Sequence, residues 1–314
     1  MPIPARLQRG LKLPVIAAPM FLVSGPELVI AACKSGVVGT FPALNQRTTE
    51  GYSAWLDEIK GSLGPQDPAY GVNLIVHNTN PRLMPDLEVT VRHEVPLVIT
   101  SLGAVRDLVE AIHGYGGLVF HDVTTLRHAQ KAAEAGVDGL ILVSAGAGGH
   151  AGTWSPFALV DEVRRVFDGT IILSGAMSTG RDVATAMMMG ADFAYLGTRF
   201  IATTESQAPD SYKQMILDSG AADITYTPAI SGIPANFMTK SLIANGLDPK
   251  NLAGKDKVDL GKELDHEVRA WKEVWSAGQG VGSVQDVLPT ADLVARLKRE
   301  FDEAGADYAR RFGG

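Results

Sequence analysis

A single histidine stands inside the run Gly146-Ala147-Gly148-Gly149-His150-Ala151-Gly152, which begins after Ser144-Ala145 at the end of the apolar stretch 139–143. Glycines at the end of a buried strand let backbone N–H groups approach a flat or anionic ligand, and within this run His150 is the side chain that titrates near neutral pH. It is the first candidate for acid–base work. The turns Ser174-Gly175-Ala176 and Gly197-Thr198 offer a different chemistry, because small residues let the chain close on phosphate oxygens and the Thr198 hydroxyl adds a donor. Asn73 contributes an amide for the polar edge of a ring, and Ala18-Pro19-Met20-Phe21 an apolar edge on which a flat face can pack. The seven histidines show no His-x-x-x-His or His-x-x-Glu-His spacing, so no metal site is expected. There is also no Gly-x-Ser-x-Gly elbow for a serine nucleophile.

These residues need elements to position them. Short β-branched runs at 14–20, 37–42, 70–76, 97–101, 118–123, 139–143, 170–174 and 193–197 read as strands. Amphipathic segments between them, including 26–35, 49–60, 104–113, 126–135, 156–167 and 181–189, read as helices, and Pro26 and Pro156 suit a first helical turn. Eight strand–helix units predict an α/β fold, a closed (β/α)8 TIM barrel. A smaller, mainly helical inserted subdomain follows. The expected division is a barrel over 1–207, a helical or lid subdomain over 208–284, and a helix over 285–314 that returns to the barrel. Within the insertion, 224–237 lacks a clear period and 250–272 is dense in charge, which suits a solvated helix face.

At 314 residues, 46% hydrophobic and 20% charged, the chain has ample core for one large domain. A net charge of −7 with no basic run argues against nucleic acid or an anionic membrane as partner. Cys33, the sole cysteine, is read as core, and with no signal peptide or spanning run the chain is expected in the cytoplasm.

In a barrel of this kind the strand-to-helix loops build the site, so the candidates above share one end. A phosphate anchor after the seventh and eighth strands, an apolar edge after the first and an amide on the third suit a phosphate tail joined to a flat ring. That combination points to FMN. No Gly-x-Gly-x-x-Gly follows the first strand, so a Rossmann dinucleotide fold lacks its fingerprint.

The ordered motifs P-V-I-A-A-P-M at 14–20, G-V-N at 71–73, A-G-G-H-A-G at 147–152, S-G-A at 174–176 and G-A-D-F-A-Y-L-G-T-R-F at 190–200 carry a family likeness. Through them the chain resembles the nitronate monooxygenases, formerly called 2-nitropropane dioxygenases, FMN-dependent TIM barrels with a helical second domain. It is also similar to the flavin-dependent enoyl reductases and NADH:quinone reductases built on the same barrel. The resemblance implies that Pro19, Met20 and Phe21 meet the flavin ring, that Asn73 holds its polar edge or chain, and that Gly148 and Gly149 pass close to it. It further implies that the turn Ser174, Gly175 and Ala176, with Gly197 and Thr198, holds the phosphate, that His150 is the active-site histidine, and that the protein forms a homodimer. Two positions depart from the family. Asp122 stands where some relatives have a lysine: either its carboxylate disfavours an anionic reduced flavin or its side chain points away. Ala176 stands where relatives often have glycine.

The implied activity is oxidation of an alkyl nitronate by O2 to a carbonyl compound and nitrite. His150 would fix the anionic substrate when protonated, or remove an α-proton from a neutral nitroalkane when not. Two other readings stay open. One is an NAD(P)H-dependent flavin reductase acting on a quinone or an enoyl thioester, with 225–238 as a lid and Ser231, Gly232 and Asn236 as polar contacts. The other is a non-catalytic barrel that holds FMN or a sugar phosphate.

Overall fold

Runs of three to six apolar or β-branched residues form the strands, and in a computed structural model of the chain they close on themselves. The structure describes residues 3–77, 79–103, 105–230, 232–252 and 274–313. The barrel strands are β1 (Val15–Ala17), β2 (Val38–Pro42), β3 (Gly71–Ile75), β4 (Leu97–Ser101), β5 (Leu118–Val123), β6 (Gly139–Val143), β7 (Thr170–Ser174) and β8 (Phe193–Leu196). Each pairs in parallel with the next, and β8 pairs with β1 to complete the ring. β1 ends sooner than the apolar run 14–20 predicts. The Ala18 N–H still donates to the Leu196 carbonyl at 2.9 Å, but Pro19 has no N–H to continue the ladder.

Helices cover the outside in the expected places, and Leu83–Arg92 follows β3 in addition. Their starts show why they begin where they do: the Thr48 and Thr125 hydroxyls accept from Gly51 and His128 amides, and Thr179 with Asp182 forms a reciprocal capping box.

Strand side chains alternate between two faces, and this splits the core. Ile16, Val38, Leu97, Ile99, Phe120, Ile141, Ile172 and Phe193 point inward and fill the barrel, all fully buried. Their neighbours Val15, Val98, Val119, Leu140, Leu142, Ile171 and Ala194 point outward and pack against the helices. The barrel interior is therefore a plug of side chains rather than a channel.

The chain leaves the barrel after Thr198–Ile201 and returns as Thr290–Phe312, which packs against Gly180–Met188 and Pro26–Ser35, the slot of the eighth helix. The extra segment is thus an enlarged connection between β8 and its helix. Its neck is tied: Thr203 bridges to Leu288, the Glu205 carboxylate accepts from the Thr290 N–H at 2.9 Å and its hydroxyl at 2.7 Å, and Arg199 pairs with Asp286 at 2.7 Å. Between the ties lie the helix Asp210–Leu217, the strands Ile224–Thr227 and Ala235–Met238, and the helix Thr239–Ala244. The stretch without a clear period in sequence is thus an antiparallel strand pair, its alternation too short to stand out in two four-residue strands on either side of Pro228 and Pro234. Ser231, and the charged run from 253 to 272, lie outside the described residues. Among the described residues no helix is long and apolar enough to cross a membrane.

The plug makes a direct prediction. Phe120→Ala removes a fully buried ring from the barrel interior and should cost about 3–5 kcal/mol, read as a fall in the urea midpoint; a midpoint within error of the wild type would contradict the plugged interior.

Candidate active site

Two residues beyond six of the plug residues, the same inward face emerges at the C-terminal end of the barrel. That step leads from Ile16 to Ala18, from Ile99 to Ser101, from Phe120 to Asp122, from Ile141 to Val143, from Ile172 to Ser174 and from Phe193 to Tyr195. All six, together with Asn73 of β3, line one cavity of about 300 Å³. Every residue that the resemblance assigned to the flavin or to acid–base work lines it too: Pro19, Met20 and Phe21, Asn73, Gly148, Gly149 and His150, Ser174, Gly175 and Ala176, Gly197 and Thr198; Gly232 and Asn236, offered as contacts within a lid, do not.

The walls divide by chemistry. Pro19, Met20, Phe21, Val143 and Met177 contribute apolar surface against which a flat ring can pack. Asn73, Ser101, Asp122 and Tyr195 make a polar one. Both strongest contacts of the Asn73 amide nitrogen are inside the protein, to the Ile99 carbonyl at 3.3 Å and the Ser101 hydroxyl at 2.7 Å, which leaves its oxygen to face a ligand as acceptor. Asp122, left open as facing the flavin or turned away, lines the cavity, while its neighbour His121 turns outward to Thr100 at 2.7 Å. Burial lowers His121 to about 4, so it is a neutral core histidine.

At the small-residue end three chain segments meet. The Gly278 N–H donates to the Thr198 hydroxyl oxygen at 2.9 Å, so the Thr198 proton stays available for a phosphate oxygen. A Cβ on Gly148 would stand 2.8 Å from the Gly278 nitrogen, and one on Gly280 would stand 2.7 Å from the Ala176 carbonyl carbon. These contacts leave no room for side chains, and they keep backbone next to the cavity. Gly175 and Ala176 both take positive φ, 143° and 54°, which explains why glycine suits position 176 and why alanine there carries strain. The cradle and the ring-sized apolar wall fit a flavin with a phosphate tail. Sequence reasoning missed Gly278 and Gly280, although Gly-Gln-Gly-Val-Gly at 278–282 is a visible signal, and it missed Ser101 and Tyr195, which the two-residue step from Ile99 and Phe193 reveals.

The glycine–histidine loop is anchored rather than free. Gly149–His150 is a short strand pairing antiparallel with Ala235–Met238, His150 opposite Ala235 and Gly149 opposite Asn236. The Asn236 amide, buried, donates to the Ala147 carbonyl at 2.6 Å, and the Tyr226 hydroxyl donates to the Ala151 carbonyl at 3.1 Å. Asn236, read as a contact within a lid, therefore clamps the loop, and Ile233 supplies the hairpin's contact with the cavity. His150 is exposed to the open cavity, yet protein packed around that cavity desolvates the ring and lowers its pKa to about 4. With the pKa lowered in this way the imidazole is neutral at neutral pH.

A family model described as nitronate monooxygenase matches residues 70–300. A nitronate monooxygenase of Paraburkholderia phytofirmans is 27% identical, the alignment covering 94% of each chain. Among solved structures, a nitroalkane oxidase from Streptomyces ansochromogenes superposes with a TM-score of 0.81 at 25% identity, covering 96% of this chain and 99% of that one. FabK from Thermotoga maritima has the same fold, with a TM-score of 0.82 at 22% identity over 98% and 97% of the two chains.

The clamp can be tested without any ligand. Asn236→Ala leaves the buried Ala147 carbonyl without its donor, which should cost about 1–3 kcal/mol and speed amide hydrogen exchange across 147–151. Unchanged exchange there would show that the hairpin does not hold the loop.

Proposed function

The chain belongs to the nitronate monooxygenase family, and on that premise we propose that it is an FMN-dependent monooxygenase converting alkyl nitronates and O2 to carbonyl compounds and nitrite in the cytoplasm. It is an oxidoreductase, flavin-dependent by family. What supports the finer reading is one observation: His150 opens onto the same cavity as the apolar wall, the polar edge and the small-residue cradle.

In this reading Ser174 to Ala176, Gly197 and Thr198 hold the phosphate, with the Gly278 and Gly280 backbone behind them. Pro19, Met20 and Phe21 support the ring and keep water from it, Gly148 and Gly149 let it approach, and Asn73 accepts from its polar edge. When bound, the flavin supplies the electron transfer that neither a histidine nor a carboxylate can. His150 handles the proton. As a neutral imidazole it takes the α-proton of a nitroalkane on its unprotonated ring nitrogen, or donates its N–H to an oxygen of a nitronate already formed. The cationic anchor considered from sequence belongs to acid solution, because the lowered pKa keeps the ring uncharged near neutrality.

The sign of the pH dependence follows. The base form exists above a pKa of about 4, so kcat/KM for a neutral nitroalkane should rise through that region and be level near neutrality. His150→Asn should reduce turnover of neutral nitroalkanes by about 10²–10⁴-fold and of preformed nitronate by less; full nitronate turnover at saturation together with full nitroalkane turnover would remove His150 from the chemistry. Anaerobic mixing separates the competing activities. Bleaching of the flavin absorbance by a nitronate, with indifference to NADH, is the expected result, whereas rapid bleaching by NADH alone would favour a reductase of quinones or enoyl thioesters.

A further inference from the structure

Among the described residues Asp122 is an acid without a counter-ion. On the cavity side of β5 its Oδ2 lies 2.5 Å from the Ser101 hydroxyl oxygen, and its Oδ1 is shielded from water with no partner among the described residues. The groups that face it are Ser101 from β4 and Tyr195 from β8, while Ile141 is its register partner on β6. His121, on its own strand, is turned to Thr100. Burial is the main influence on its ionisation, with the Ser101 hydrogen bond acting against it. A carboxylate left this way keeps one oxygen both charged and unsatisfied; a neutral acid leaves only a carbonyl oxygen there, a far smaller penalty.

Counting protons along Asn73, Ser101 and Asp122 shows what the difference does. The Ser101 oxygen accepts from the Asn73 amide at 2.7 Å in either case. With Asp122 ionised, Ser101 must give its one proton to Oδ2 and has none left for a ligand. With Asp122 neutral, Oδ2–H donates to the Ser101 oxygen, which has a second lone pair for it, and the serine proton is released toward the cavity. The site then presents a donor, Ser101, beside an acceptor, the Asn73 oxygen. That order complements a ring edge on which a carbonyl stands next to an N–H, as in the dione half of a flavin.

We propose that Asp122 is a positioning residue held as the neutral acid, which turns Ser101 into a hydrogen-bond donor so that Ser101 and Asn73 together read the carbonyl and N–H of the bound ring. The inference rests on the flavin reading of the cavity. Burial already pushes the Asp122 carboxyl up to about 6, and a ring laid over it removes more water.

The acid form binds, so affinity is full below the carboxyl's pKa in the free protein and falls by up to tenfold per pH unit above it, until binding by the carboxylate form takes over. FMN binding to the full chain is measured by fluorescence quenching from about pH 5 to about pH 8. Because the FMN phosphate and His150 also titrate, Asp122→Asn is the reference: its amide donates to Ser101 as the acid does and carries no charge to lose. The variant should bind FMN as the wild type does at low pH and more tightly than the wild type at high pH. Ser101→Ala, which lacks the donor, should bind about threefold to tenfold more weakly than the wild type at low pH. In the infrared, the FMN complex should show the carbonyl stretch of a protonated carboxylic acid that Asp122→Asn lacks. Superimposable profiles for wild type and Asp122→Asn, or a missing acid band, would overturn the proposal. So would a large loss of FMN affinity in Asp122→Asn at every pH, which would mean that the carboxylate accepts from the ring. Failure of the wild type to bind FMN at any pH is a different result: it removes the flavin reading, and with it the ring this site would read.

Discussion

The closed parallel barrel is plugged, and the arrangement of the site follows from that plug. Once Ile16, Ile99, Phe120, Ile141, Ile172 and Phe193 fill the interior, no ligand can pass through it, and the next inward position on each strand becomes the floor of a cavity. The alternation of side chains therefore determines both the hydrophobic core and the polar groups a ligand meets. One residue of slippage in β5 would exchange Asp122 for His121 at the cavity and put a carboxyl group on the face that packs against the helices.

A second constraint acts on the loops. Barrel loops are usually the adaptable part of such folds, but here the loop bearing His150 is a strand of a small sheet, fastened by Asn236 and Tyr226. The segment that fastens it belongs to the enlarged connection between β8 and its helix. The neck of that connection, Thr203 with Leu288 and Arg199 with Asp286, sits beside the Gly197-Thr198 turn. The small-residue cradle and the histidine are thus held by the same long connection, and a change in either anchor should be felt at both.

The site's electrostatics are those of a desolvated pocket. His150 is lowered and Asp122 raised, both chiefly by burial, so the two titratable groups tend toward neutrality together. A pocket of this kind favours reactions in which the cofactor carries the electrons while the protein supplies uncharged hydrogen bonds and a proton acceptor.

Much of this was legible in the chain. The period of apolar residues located the eight strands, and the glycine turns with His150, Ser174 to Ala176, Gly197 and Thr198 could be placed at strand ends because short-range rules govern them. Those residues work largely through backbone geometry, which local sequence dictates. The roles of Ser101, Asp122, Tyr195 and Asn236, and the approach of Gly278 and Gly280 to the cradle, came only with the tertiary structure. Each depends on which face of a strand points inward, or on contact between segments far apart in the chain, such as Asn236 with Ala147 and Gly278 with Thr198. Local sequence specifies the strands and turns, while register and long-range packing decide which side chains they bring together.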